Sequence, residues 1–455
     1  MERNWTTGSI FKNILFFSLP YLLSYFLQTL YGLADLFIIG QFGSVADTSA
    51  VSIGSQVMHM LTVMIVGLAM GSTVMISRQI GEKRSDKAAK SVGNTIVMFM
   101  SISIVVTVLL LCLTKPIVSV MSTPAEAVNG TIDYLIVCFI GIPFITAYNI
   151  ISSIFRGLGD TKSPMYFIAV ACICNIALDY LFMGALHLGP LGAALGTTIS
   201  QAISVIVSLI VILKMKTGIQ IKKSDFKLEK STISDILKIG VPVAIQDGFI
   251  QIAFIIITIF ANNRGLDDSA AVGIVEKIIS IIFLVPSSML STVSALSAQN
   301  LGANEEKRAK LTMWYSTIIS VCYGIVISII VFFIAKPFVS IFNDESENVA
   351  ILGSQYLRGY IWDSIFAGVH FCFSGYFCAC KKSYISFIHN ALSIVFVRIP
   401  CSYFAAKIFT DTLLPMGLAA PLGSVLSVFV CVIAYIILTK SKTKKVSVSL
   451  WKNPQ

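Results

Sequence analysis

Long apolar runs alternate with short polar segments along almost the whole chain, and each run is long enough to read as a helix rather than a strand. A helix needs ~20 mainly apolar residues to cross a bilayer, and the runs between Lys12 and Lys440 are spaced to accommodate about twelve. The pattern predicts an all-α polytopic membrane protein with no room for a sizeable soluble domain. The opening MERNWTTGSIFKN lacks the short apolar core and small-residue cleavage site of a secretory signal. The first apolar run is therefore expected to stay as the first span.

A second regularity appears at longer range. Lys115-Pro116-Ile117-Val118-Ser119 returns as Lys336-Pro337-Phe338-Val339-Ser340, Pro20 as Pro242, Gly81 as Gly302, and Tyr134-Leu135 as Tyr356-Leu357, each 221 or 222 residues on. Hydropathy alone does not require such a register. It predicts two pseudo-symmetric six-helix lobes, residues 1–213 and 233–441, joined by a cytoplasmic connector at 214–232 and followed by a cytoplasmic tail at 442–455. Halves with an even number of spans share one orientation and are related by an axis along the membrane normal. Two such lobes are suited to enclosing a central cavity and to rocking in alternating access. Duplication without mechanical meaning is the plainer alternative.

Composition agrees with a lipid solvent: 56% of the 455 residues are hydrophobic and 12% charged, about half the ~25% of a soluble chain. The formal net charge of +10 would suit nucleic acid, but the charge sits at helix ends. Arg78, Lys83, Arg84, Lys87 and Lys90, Arg156 and Lys162, Lys214 to Lys238, Lys307 to Lys310, Lys381 and Lys382, and Lys440 to Lys445 mark alternate loops. By the positive-inside rule these face the cytoplasm, which puts both termini inside. No basic cluster is interleaved with aromatics in a soluble module, so no nucleic-acid partner is expected. The ten cysteines lie in or beside apolar runs without paired metal spacing and read as packing residues. The four histidines show no metal-ligand spacing, and His59 alone is kept as a candidate for proton handling. No Walker A sequence argues for a nucleotide-driven pump.

The candidate chemistry lies in charges within the predicted spans, since a carboxylate at the bilayer centre costs about 2.5–3.5 kcal/mol on insertion scales. Asp35 falls in the first span; Asp179 falls in the fifth, with Asn175 one helical turn before it on the same face. Thr197 in the sixth span adds a hydroxyl. Two acids with an amide and a hydroxyl beside them form a candidate site for a shared proton or a sodium ion; no other metal is expected. Pro20 is the candidate bend, because proline deletes a backbone hydrogen bond. The plainer alternative has Asp35 capping a loop and Asp179 in a structural pair. Gln28, Tyr31, Tyr148, Gln246, Asp247, Gln251, Asp363 and Arg398 are candidates for lining a substrate cavity. Asp247 and Asp363 either attract cationic cargo or pair with Arg398. Glu276 and Lys277, near an end of the eighth span, are read equally well as snorkelling.

These sequences resemble the multidrug and toxic-compound extrusion (MATE) family over essentially the whole chain. FSLPYLLSYFLQTLYGLADLFIIGQFG, SRQIGEKR, FRGLGDTKSP, NIALDY and GPLGAALGTTISQ carry the resemblance by their order and spacing together. It implies twelve helices, an outward-opening V between lobes, and antiport of amphipathic, often cationic organic molecules against protons or sodium without a cofactor. It also implies that Asp35, Asn175, Asp179 and Thr197 match the family's amino-terminal cation site. Sodium-coupled members of the NorM type carry a glutamate about two turns past the seventh-span proline, where this chain has Ile250, which puts a carboxy-terminal cation site in doubt. A monomer in a bacterial inner membrane is expected, with small organic substrates and the bilayer as partners. A lipid flippase of related architecture is the alternative, and the excess of cavity acids over Arg398 favours cationic cargo. No nucleophile and base fall together, so an enzyme is not expected.

Overall fold

Burial runs opposite to that of a water-soluble protein. In the computed structural model, which describes residues 5–214, 219–342 and 346–452, with 441–452 as backbone alone, large apolar side chains point outward: Leu213 is 86% exposed and Phe333 75%, while Asp179 and His389 are fully buried. Lipid needs no polar cover, so polar side chains find one another inside.

Among the described residues the helices form twelve consecutive elements. These are α1 (Ile10–Phe42), α2 (Val45–Gly81), α3 (Ser85–Val120), α4 (Val128–Ile140 with Ile142–Gly157), α5 (Lys162–Ala185) and α6 (Gly189–Lys214). They continue with α7 (Lys230–Asn262), α8 (Leu266–Gly302), α9 (Glu306–Ser340), α10 (Glu347–Tyr360 with Asp363–Ala379), α11 (Ser383–Ile408) and α12 (Leu414–Lys452). Ten are long and apolar enough to cross a bilayer, and α4, bent by 47° at Gly141, makes an eleventh if its halves count as one span. α10 is broken at Ile361–Trp362, and Glu347, Arg358 and Asp363 dilute its apolar content. The protein is thus a multi-pass helical membrane protein.

Local chemistry sets the ends. Ser44 and Asp47 form a reciprocal capping box at the start of α2, with Asp47 N–H donating to Ser44 Oγ at 3.2 Å and Ser44 N–H to Asp47 Oδ2 at 2.9 Å. Pro20 lies inside α1, where it supplies no N–H. Of the expected connector, residues 215–218 lie outside the described residues, as do 453–455 of the expected tail; α12 continues as helix past residue 441 to Lys452.

The chain divides into two compact units: one takes the chain up to Ala244 together with Ala295–Ala309, the other Ile245–Ser294 and the chain from Lys310 onward. In the first, α5 packs against α6 and α1, and α2 against α4. Backbones approach closely at glycines: a Cβ on Gly81 would lie 2.0 Å from Gln299 O, and one on Gly302 2.0 Å from Arg78 O. The connector is docked on α3, whose Asn94 donates to Asp225 O and Lys227 O and accepts from Glu229 N–H at 2.7 Å. Lys222, Lys223, Lys227 and Lys230 are exposed, whereas Asp225 is buried and accepts from Lys222 N–H at 2.8 Å. In the second unit, Ile257, Val272, Ile278, Leu357 and Met416 fill the core. There α10 and α12 meet at glycines, with a Cβ on Gly417 falling 2.3 Å from Tyr356 O.

Candidate functional site

Three helices of the first unit bring four of the sequence candidates together. Asp35 lies inside α1, well before its end at Phe42, and is 4% exposed. The loop-capping alternative therefore fails, because Ser44 and Asp47 perform that task. Asp179 is fully buried at the point where α5 widens into the π-helical turn Tyr180–Ala185, a feature that recurs at functional sites. Its carboxyl faces that of Asp35 within hydrogen-bonding reach. Thr197 of α6 donates its hydroxyl to Asp35 Oδ2 at 3.1 Å. Asn175 is buried one turn before Asp179.

Asp35 Oδ1 and both Asp179 oxygens are buried without a hydrogen-bond donor opposite them, and among the described residues no ion pair reaches either acid. The structural-pair alternative for Asp179 thus lacks its partner. Two carboxyl groups facing each other in apolar surroundings repel unless a proton or a cation lies between them. The site depends on a residue that sequence reading passed over. Gly196 of α6 lies flat against Asp179, and a Cβ there would sit 2.1 Å from Asp179 Oδ1.

The remaining candidates of the first unit separate by depth. Gln28 and Tyr31 are half-buried on α1, whereas Tyr148 of α4 is fully buried. Arg156, counted among the loop charges in the sequence, lies in the second half of α4, buried, with Nη1 donating to Tyr21 Oη at 2.8 Å and the guanidinium 3.8 Å above the Tyr21 ring. Its position at the end of an apolar run made it look like a loop residue. His59 is exposed on α2.

The second unit gathers a different set. Gln246 is buried just past Pro242 on α7, and Asp247 and Gln251 are half-buried on the same helix. Asp363 is 1% exposed at the start of the second half of α10, with Oδ1 lacking a donor. Arg398 ends the π-helical turn Ile394–Arg398 of α11, hydrogen-bonds Tyr360 Oη and stacks over Phe254 at 4.9 Å and Tyr360 at 5.3 Å. Among the described residues it forms no ion pair with Asp363. Glu276 is well inside α8 and accepts from Thr258 Oγ1 at 3.4 Å, so it belongs to this cluster. His370 and His389 are buried in the same unit, their rings 5.5 Å apart, each bonded to a serine. Among the described residues no group of three metal-ligating side chains occurs.

A bundle of membrane-crossing helices with buried, unpaired acids at its core defines a polytopic transporter. The MatE family model matches residues 20–181 and 242–404, two stretches that open on the repeat's anchoring prolines, Pro20 and Pro242. The chain belongs to the multidrug and toxic-compound extrusion family, whose members are transporters rather than enzymes. It is 28% identical over 398 residues to the probable multidrug resistance protein YpnP of Bacillus subtilis, covering 87% of this chain and 88% of that one. A second Bacillus subtilis relative, the probable multidrug resistance protein YoeA, is 28% identical over 350 residues, covering 75% and 76%. A solved structure of an outward-facing multidrug resistance MATE transporter superposes with a TM-score of 0.90 at 20% identity, covering 97% of this chain and 98% of that one.

Proposed function

We propose that this protein is a secondary antiporter that exports amphipathic, often cationic organic compounds in exchange for protons or sodium ions, coupled through Asp35 and Asp179. The observation that carries this reading is the facing pair of buried carboxyl groups without a basic partner, held by Thr197 and by the close approach of Gly196. The names of the Bacillus relatives support the cargo class. The surplus of acids among Asp35, Asp179, Asp247 and Asp363 supports a positive charge on it.

In this reading a cation entering from outside binds between Asp35 and Asp179, with Thr197 and Asn175 completing its contacts. It cancels one of their two charges, and α1 repacks about Pro20 until the cavity that held the substrate closes. Substrate leaves outward; the cation is released inward. For a neutral cargo an elementary charge moving inward gains about 2.3 kcal/mol per 100 mV; for a monocationic cargo exchanged one for one, no net charge moves and the concentration gradient of the ion supplies the drive. The repeat halves move as lobes, both termini lie in the cytoplasm of a bacterial-type inner membrane, and one chain suffices for the pathway.

The test is efflux of ethidium from liposomes under an imposed pH gradient and, separately, an imposed sodium gradient, with wild type beside Asp35→Asn and Asp179→Asn. Transport driven by one gradient and abolished in both variants is expected. Efflux that neither gradient drives, or variants that match wild type, would remove the coupling assignment and leave lipid translocation as the better reading.

A further inference from the structure

The repeat register lays the two polar clusters at matching places in the two units, but none of the site residues of the first recurs in the second. Tyr134 and Cys138 of α4 lie within electrostatic reach of Asp35 in the first unit; at the repeat-related places in α10 stand Tyr356 and Tyr360, both within reach of Arg398, which hydrogen-bonds Tyr360 Oη. Asp35 itself corresponds to Ile257, beside Thr258. Asn175 and Asp179 of α5 correspond to Val397 and Cys401 of α11. Arg398 is therefore within one turn of both counterparts, and both helices carry a π-helical turn at this level. Where the first unit has two facing carboxyl groups, the second has a guanidinium.

We propose that Arg398 is a resident cation: its guanidinium fills, in the second unit, the place that the exchanged cation takes in the first, so only the first unit exchanges an ion. The proposal rests on the coupling role given to Asp35 and Asp179. The guanidinium has acids to answer, since Glu276 and Asp363 are both within its electrostatic reach. Neither is in ion-pair contact with it among the described residues. It stands between α8 and α10 as a shared counter-charge, as a bound ion would, instead of forming a bidentate bridge. Its position is fixed by Tyr360 Oη and by the rings of Phe254 and Tyr360. An arginine so held stays charged and cannot leave, which removes a second ion from the cycle.

The test uses full-length protein, measured as thermal unfolding in detergent without any gradient and as ethidium efflux from liposomes. Arg398→Ala leaves Glu276 and Asp363 uncompensated, and efflux is expected to fall about tenfold or more, with a lower unfolding midpoint. Millimolar ethylguanidinium is expected to restore both in this variant and to leave wild type unchanged. Arg398→Lys keeps a charge and is expected to stay close to wild type, while Arg398→Met fills similar space without charge and is expected to behave like the alanine variant. Should Arg398→Met match wild type, or should Lys and Met be equally impaired with no response of Arg398→Ala to ethylguanidinium, the resident-cation role is overturned. Failure of the coupling reading would show differently, as wild-type efflux indifferent to both gradients with the ethylguanidinium response intact.

Discussion

At the scale of single residues, the site is a matter of which side chains lack a partner and which lack a side chain altogether. Gly196→Ala would drive a methyl group into Asp179 Oδ1, at 2.1 Å. Overpacking of this kind costs about 1–3 kcal/mol, so gradient-driven ethidium efflux is expected to fall about tenfold while the protein still reconstitutes. Gly32 of α1, where a Cβ meets nothing within 4 Å, is the matched control, and Gly32→Ala is expected to transport normally. Thr197→Val removes the hydroxyl that reaches Asp35, and is expected to weaken ion dependence of efflux, read as a higher half-saturating ion concentration, without abolishing transport. Asp35 and Asp179 were legible in the sequence because a carboxylate in an apolar run needs a reason. Gly196 was not, since small residues are common in membrane helices for many reasons. The burial of Arg156, in the last turn of α4, and the depth of Glu276 were not legible for one shared cause: hydropathy cannot fix the depth of a charge near the end of a run.

At the scale of helices, close approaches and interruptions decide what can move. Gly81 and Gly302, a repeat-related pair, let the ends of α2 and α8 touch backbone to backbone. Gly302→Val places a branched side chain against Arg78 O, and a thermal unfolding midpoint several degrees lower is expected. The amino-terminal segment ties into the same region, with Trp5 donating its backbone N–H to Gln299 Oε1 and its indole N–H to Gly159 O at 3.0 Å. Trp5→Ala is expected to lower the midpoint as well, by less than Gly302→Val, because it removes contacts without creating a clash. The repeat offset was legible from a few matched positions, these two glycines among them. The bend at Gly141, the break after Tyr360 and the π turns of α5 and α11 left no such trace. Each depends on how neighbouring helices satisfy freed backbone groups, which a single helix's pattern does not record.

At the scale of the whole molecule, the apolar exterior and polar interior follow from lipid as solvent, and that much was readable from composition alone. The division into about twelve elements was readable too; among the described residues ten are long, apolar and continuous, α4 is bent and α10 is broken, since the polar content of α10 breaks the pattern on which counting relies. Function at this scale is a competition: ion and substrate are proposed to exclude each other, so that binding one releases the other. The most direct measurement is equilibrium ethidium binding to the purified protein as pH and sodium concentration are varied. Affinity is expected to fall about tenfold per tenfold rise in the coupling ion, and Asp35→Asn with Asp179→Asn is expected to abolish the dependence. Affinity that is indifferent to both ions in wild type, or a dependence unchanged in the double variant, would contradict the competition.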